Sequence, residues 1–181
     1  YFKKITPQSL RMSSNQKLKE GDEVVLQLEV SNKAELLFFS DKAQVYKAKL
    51  SDFAETKASV MGDYIPSKLG FDEGEKLLSA VVTTGFAGHV LFFFENGKVS
   101  KVPLSSYETK TNRKKLQNAY SDKSPLVTLK VPVEGEEIVL TSTGKRKLIF
   151  NPDMIASKAT RDNQGVAVMT LKKGAFLQSV D

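Results

Sequence analysis

Three stretches of the chain share one pattern of apolar and polar positions. Glu35–Phe53 reads ELLFFSDKAQVYKAKLSDF, Val90–Tyr107 reads VLFFFENGKVSKVPLSSY, and Glu137–Met154 reads EIVLTSTGKRKLIFNPDM. In each, a continuous apolar run meets a short polar turn. A second strand-like run follows, then a polar stretch that ends in a large apolar residue. Unbroken apolar runs of three to five residues bounded by turn signals predict strands buried on both faces. Asn96-Gly97 is a strong signal for a two-residue hairpin turn and Thr143-Gly144 a weaker one. Further strands are expected over Glu23–Val30 (EVVLQLEV) and Lys76–Val82 (KLLSAVV). The stretch Ser124–Val133 carries two prolines and is not helical. Helix signals are weak throughout.

Aligned on the turn, Ala43, Gly97 and Gly144 coincide, at spacings of 54 and 47 residues. A second marker, a glycine ahead of an apolar run, aligns Gly21, Gly74 and Gly174, with Ser121 in the remaining place, at spacings of 53, 47 and 53. The chain therefore reads as a single domain of three repeat units, about 21–73, 74–120 and 121–173, with half-units over 1–20 and 174–181. The opening YFKKITPQSL fits the second half of a unit. Four strands in about 50 residues is the arithmetic of a propeller-like blade.

The alignment makes columns. Ile5, Ala48, Val102 and Ile149 are all apolar, as are Leu10, Phe53, Tyr107 and Met154, and both columns are expected to face a core. Immediately before the first column stand Lys4, Lys47, Lys101 and Leu148. Side chains alternate along a strand, so these lysines are expected to point away from the packed face and to be replaceable at little cost in stability.

Charge adds a partner class. The chain carries 27 Lys and Arg against 21 Asp and Glu, a formal charge of +6. A basic balance suits an anionic partner. A solvated surface explains any single basic cluster, but recurrence on successive hairpins makes a track that can neutralise phosphates. The candidate DNA-binding residues are Lys3, Lys4, Lys47, Lys49, Lys98, Lys101, Arg113, Lys114, Lys115, Lys145, Arg146, Lys147, Lys158 and Arg161. With no aromatic run for base stacking, backbone contacts are expected to dominate.

Catalytic chemistry finds little to stand on. There is no cysteine and one histidine, His89, which sits directly before an apolar strand and reads as its first residue. The acidic groups Asp72–Glu75 and Glu134–Glu137 read as caps of strand entries, not as metal ligands. No cofactor or metal is expected. No apolar run approaches the about 20 residues of a membrane span. The absence of cysteine fits a reducing compartment.

The ordered recurrence of LKEGDEVVLQLEV, ELLFFSDKAQVYKAKLSDF and EEIVLTSTGKRKLIF resembles the C-terminal domain of the A subunit of bacterial type IIA topoisomerases, gyrase or topoisomerase IV. The resemblance spans essentially the whole chain. It implies an all-β pinwheel of about four blades, roughly four strands each, open or incomplete, whose blades exchange strands. It also implies non-sequence-specific binding and bending of duplex DNA. Its implied partners are the ATPase B subunit of the holoenzyme and the catalytic domains of the same polypeptide, with no membrane, and its implied location is the bacterial cytoplasm, in association with the nucleoid. DNA cleavage in that family belongs to a tyrosine of the N-terminal part of that polypeptide, so none of the five tyrosines here inherits the role and the domain is not an enzyme by itself. The glycine- and arginine-rich box of gyrase, of the form Q-R-R-G-G-K-G, has no counterpart in the loops of this chain. That departure favours a topoisomerase IV type, a divergent gyrase relative, or a fragment that begins after the box. The alternative reading is a propeller that binds protein partners.

Overall fold

The structure is a computed structural model, and it describes residues 1–6, 8, 18, 20, 21, 23, 24, 27–109 and 113–181. Eleven strands among these residues form three antiparallel sheets. The first holds β1 (Glu35–Ser40), β2 (Val45–Lys49), β3 (Leu77–Thr83) and β6 (Lys115–Leu116), in the order β3-β1-β2-β6. The second holds β4 (His89–Phe94), β5 (Lys98–Pro103), β7 (Leu126–Lys130) and β10 (Val166–Ala167), in the order β10-β5-β4-β7. The third holds β8 (Ile138–Ser142), β9 (Lys147–Phe150) and β11 (Leu177–Val180), in the order β11-β8-β9. Each second strand runs into a 3₁₀ turn: Leu50–Asp52, Leu104–Tyr107 and Pro152–Met154.

Strand exchange links the sheets. β6 follows the second hairpin in sequence yet pairs with β2 of the first sheet, Val45 opposite Leu116. β10 follows the third hairpin yet pairs with β5 of the second, Val166 opposite Val99. The N-terminal segment enters the same scheme. Phe2 bridges Asp63 antiparallel, and their N–H groups each donate to the other's carbonyl at 2.7 Å. Tyr1–Thr6 thus stands to Asp63 as β2 stands to β6 and β5 to β10, in keeping with its reading as the second half of a unit.

This arrangement explains the unbroken apolar runs. Alternate residues of β1 face opposite neighbours: Leu36 and Phe38 pack with Tyr46, Phe53, Ile65 and Phe2, whereas Leu37 and Phe39 pack with Val90, Phe92 and Phe94 of β4. The other face of β4, Leu91 and Phe93, packs on Ile138, Leu140 and Phe150. A strand held between two neighbouring blades buries both faces, so alternation disappears and every position contributes, at about 1.5–3 kcal/mol for a fully buried Leu or Phe side chain. Edge-to-face pairs across the first interface, Phe39 with Phe92 at 5.6 Å and with Tyr107 at 5.5 Å, fix its geometry.

Strand register corrects four details of the sequence reading. First, the hairpins close through three-residue loops, 41–43, 95–97 and 143–145, not two. The last residue of each is left-handed: Ala43 at φ 54°, Gly97 at 83° and Lys145 at 61°. A type I turn ending in a left-handed residue is the usual three-residue hairpin. Lys145, not Gly144, is therefore the counterpart of Gly97, because backbone conformation and not residue type defines the place. Second, the slip moves the third unit's columns by one. Ile149, 66 % exposed, takes the place of Lys101, and buried Phe150 that of Val102. Half-buried Ile155 takes the place of Tyr107, while Met154 is 77 % exposed. The expected core roles of Ile149 and Met154 are thus overturned, and Leu10 lies outside the described residues. Third, Leu77, Leu126 and Leu177 share one place, each opposite the last residue of its central strand at a register shift. The residue three before each is Gly74, Lys123 and Gly174, so Lys123 and not Ser121 holds the marker place. Fourth, of the strand expected over Glu23–Val30, Val25 and Leu26 lie outside the described residues, and Gln27–Val30 pair with no strand among the described ones.

One short helix is not legible in the apolar pattern. α1 (Ile65–Leu69) carries Pro66 in its first turn, where a fixed φ suits the start of a helix, and stops at left-handed Gly70. Five residues are too few to show a helical period. No helix among the described residues is long and apolar enough to cross a membrane.

Candidate nucleic-acid interface

The fourteen basic candidates fall into two groups once their side chains are placed. Lys101, on β5, points its ammonium across to the third blade: Nζ donates to Pro152 O at 3.1 Å and lies 3.5 Å from Ile155 O. Its own carbonyl accepts the Lys158 N–H at 2.9 Å. Lys4 does the same two interfaces earlier. Its Nζ donates to Leu50 O at 3.1 Å and to Asn32 Oδ1 at 2.9 Å, and its carbonyl accepts the Thr56 N–H at 2.8 Å. Leu50 and Pro152 open the equivalent 3₁₀ turns of the first and third blades. The two lysines therefore tie neighbouring units by one repeated device, in which a cation adds a charge-assisted bond to the first carbonyl of a 3₁₀ turn, a carbonyl that also accepts the turn's closing N–H, from Phe53 on Leu50 O and from Ile155 on Pro152 O.

Lys47 holds the corresponding place on β2 and also reaches into the next unit. Its Nζ donates to Thr109 Oγ1 at 2.8 Å and lies 5.5 Å from the Phe86 ring centroid. Burial lowers its pKa from the ordinary lysine value, against the opposing pull of Glu35 and Glu108. The lysine column is thus half-buried and bonded between blades, and the expectation that it points away from packed surfaces is overturned. Alternation put the lysines on the face opposite the neighbouring buried residues, but in a stack of blades that face meets the next blade.

Three further candidates are engaged. Lys3 donates to Ala58 O at 2.8 Å, and burial lowers its pKa. Lys115 pairs with Asp72 at 3.2 Å over the Tyr46 ring. Arg161 donates from Nη1 to Ser106 O at 3.1 Å, the second blade again gripped by the third. Exposed Arg146 spends one N–H on Thr170 O at 2.9 Å and keeps the rest of its guanidinium outward.

The remainder face solvent. Lys49, Arg113, Lys114, Lys145, Lys147 and Lys158 are exposed and have no side-chain partner among the described residues; Lys98 is half-buried and likewise without one. Lys49 ends β2, and Arg113 and Lys114 lead into β6 beside it. Lys98 starts β5 opposite Ala167 of β10. Lys145 and Lys147 stand on the β8–β9 turn and on β9. All of them belong to the edge of each sheet formed by its second and exchanged strands, and none lies on β3, β7 or β11. Unpaired ammonium and guanidinium groups along such an edge can meet phosphate oxygens with no prior bond to break.

The acidic groups behave as turn caps. Glu75, 6 % exposed, accepts from Ser40 Oγ, from Gln44 Nε2 at 2.9 Å, from Tyr46 OH at 2.6 Å and from the Asp72 N–H at 2.9 Å, which fixes the entry to β3. Glu136 accepts the Val133 N–H at 3.0 Å ahead of β8. His89 is the first residue of β4, and burial followed by the nearby Lys101 charge lowers its pKa.

Exchanged strands between antiparallel blades, in an array that does not close, define a β-pinwheel of the propeller-like class. The profile of the family described as "DNA gyrase C-terminal domain, beta-propeller" matches residues 34–84 and 156–181. The A subunit of DNA gyrase from Deinococcus deserti is 26% identical over 167 residues, which cover 91% of this chain and 20% of that protein. The A subunit of DNA topoisomerase 4 from Bacillus subtilis is 25% identical over 120 residues, 64% of this chain and 15% of that protein. The chain spans a fifth or less of the length of these relatives. Among solved structures, the C-terminal domain of DNA topoisomerase IV superposes with a TM-score of 0.82 at 23% identity, covering 98% of this chain and 56% of that one. The E. coli ParC C-terminal domain gives 0.70 at 10% identity, covering 91% and 68%. In sequence and in fold the chain is similar to the C-terminal domains of the A subunits of DNA gyrase and topoisomerase IV, the family that its repeat resembles.

Proposed function

We propose that this domain binds and bends duplex DNA without sequence readout, through phosphate contacts along the strand edge that carries Lys49, Lys98, Arg113, Lys114, Lys145, Arg146, Lys147 and Lys158. In this reading it presents a DNA segment to catalytic domains of the same polypeptide, in a holoenzyme completed by an ATPase B subunit, in the bacterial cytoplasm. The observation that carries the reading is the division of the basic residues. Those between blades are bonded, and those along the second and exchanged strands are exposed and largely unbonded. Lys3, Lys4, Lys47, Lys101, Lys115 and Arg161 contribute by holding that edge in shape. The chemistry is electrostatic: each phosphate neutralised releases condensed counterions, so affinity falls steeply with salt. Fluorescence anisotropy with mixed-sequence duplexes of about 30 base pairs, titrated at several salt concentrations, tests it. Affinities independent of sequence with a steep log–log salt slope are expected; an affinity that barely moves with salt excludes this mode. Because no loop carries the glycine–arginine box, a nicked circle sealed in the presence of the domain should gain little directional change in linking number.

A further inference from the structure

The end of each blade that carries its hairpin loop repeats one backbone arrangement with different charges. The first residue of each loop donates its N–H to the carbonyl just before the innermost strand: Asp41 to Lys76 O at 3.0 Å, Glu95 to Pro125 O at 2.9 Å and Thr143 to Phe176 O at 2.9 Å. Counted back from those carbonyls, Asp72 and Glu73 correspond to Ser121 and Asp122 and to Lys172 and Lys173. The first and last of these pairs also close the same turn, with the Glu75 N–H on Asp72 O at 3.1 Å and the Ala175 N–H on Lys172 O at 2.9 Å. One place in the repeat thus reverses its charge, from acidic in the first blade to basic in the third. The hairpin loops follow the same trend: Asp41 and Glu95 open the first two, whereas the third carries Lys145 and no acid.

Lys172 and Lys173 are exposed and have no side-chain partner among the described residues. Arg146 joins them to the basic sheet edge. Its Nη1 bond to Thr170 O at 2.9 Å holds their loop beside the β8–β9 turn, where Lys145 and Lys147 stand. The cations of the third blade therefore make one surface that turns from the sheet edge onto the hairpin end. At the same end of the first blade Asp72 is paired with Lys115, and Glu73 stands exposed.

We propose that Lys172 and Lys173 are phosphate contacts, and that a bound duplex turns off the sheet edge at the third blade to cross its hairpin end. The acidic hairpin end of the first blade holds the duplex to the edge there, so its path across the array is oblique. Free cations continuous with the exposed edge suit a phosphate backbone, and opposite charges at the two ends orient the duplex. This inference rests on the DNA-binding reading above and adds a direction to it.

The test titrates the parent, Lys172→Ala/Lys173→Ala and Glu73→Lys with one mixed-sequence duplex of about 30 base pairs at several salt concentrations. The double variant should bind more weakly, with a log–log salt slope flattened by up to about 1.8, at about 0.9 for each phosphate lost. Its thermal midpoint should stay within about 2 °C of the parent, because both side chains are exposed. Glu73→Lys, which puts a cation at the place of Lys173 in the first blade, should leave the slope at the parent value. A steep parent slope that the double variant leaves unchanged overturns this inference while DNA binding stands; a flat parent slope removes both. A steepening by Glu73→Lys as large as the double variant's loss also overturns it, since net charge and not place would then decide. So does a dimer seen by sedimentation without DNA and dissolved by Lys172→Ala/Lys173→Ala, which would give the patch to a second copy of the chain.

Discussion

Replacing Lys101 by methionine keeps the aliphatic stem and removes the ammonium that joins the second blade to the third. Of its two contacts, the one to Pro152 O at 3.1 Å is a full hydrogen bond and the one to Ile155 O at 3.5 Å is marginal. A hydrogen bond to a charged group contributes about 1.5–3 kcal/mol, and half-exposure of this lysine brings the expected cost to about 1–2 kcal/mol. In a domain of this size each kcal/mol moves the thermal midpoint by about 2–4 °C, so a fall of about 2–8 °C is expected. Lys4→Met, which removes the same tie two interfaces earlier, should cost a similar amount. Lys147→Met, on the exposed edge of β9, should stay within about 0.5 kcal/mol of the parent. Urea denaturation followed by circular dichroism gives all three. Because blades contact only neighbours, loss of a tie should also broaden the transition as the units uncouple. If Lys101→Met proves as innocuous as Lys147→Met, the inter-blade role of the lysine column is wrong.

Other perturbations read other parts of the structure. Burial alone would raise the Glu75 pKa, but hydrogen bonds from Ser40, Tyr46 and the Asp72 N–H outweigh it and the net shift is downward. The stability this carboxylate contributes is therefore present at neutral pH and is lost as pH falls through its depressed folded value. Midpoints measured from neutral to acid pH should show Glu75→Gln less stable than the parent by about 1–3 kcal/mol at pH 7, with the difference closing in acid; a gap that does not change with pH contradicts this. Gly165 and Gly174 are both left-handed, at φ 80° and 83°, but a methyl group on Gly165 would run into the Val99 carbonyl of the preceding blade, whereas one on Gly174 meets open space. Gly165→Ala should therefore cost about 1–3 kcal/mol more than Gly174→Ala in chemical denaturation, and equal costs would mean that the close approach of β10 to β5 is not needed.

Much of the architecture was legible because a repeat multiplies weak signals. ELLFFS and HVLFFF identified the central strands, and Lys4 makes hydrogen bonds like those of Lys101, its partner in the repeat alignment. What sequence could not supply was backbone conformation. A glycine marks a left-handed residue only when the chain uses one, and at the third hairpin the chain uses Lys145, so the alignment slipped by one and sent Ile149 and Met154 to the core. The lysine column failed for a different reason. Alternation along a strand says which side chains share a face but not what the face meets, and a blade in an array has no free face except at its ends. Charge density pointed to GKRK (Gly144–Lys147) and NRKK (Asn112–Lys115). Of these, Arg146 keeps one bond to a carbonyl and Lys115 is drawn into an ion pair with Asp72, a distinction no composition could make.

The division between tying and exposed cations is tested most directly by the salt dependence of DNA affinity in two triple variants, each checked for folding. Lys145→Ala/Arg146→Ala/Lys147→Ala should keep the parent's thermal midpoint within about 2 °C and flatten the log–log salt slope by up to about 2.7, at about 0.9 for each phosphate no longer neutralised. Lys4→Ala/Lys47→Ala/Lys101→Ala should lower the midpoint and leave the slope of the folded fraction at the parent value. The reverse pattern, with the slope flattened by the second variant and untouched by the first, would contradict the account.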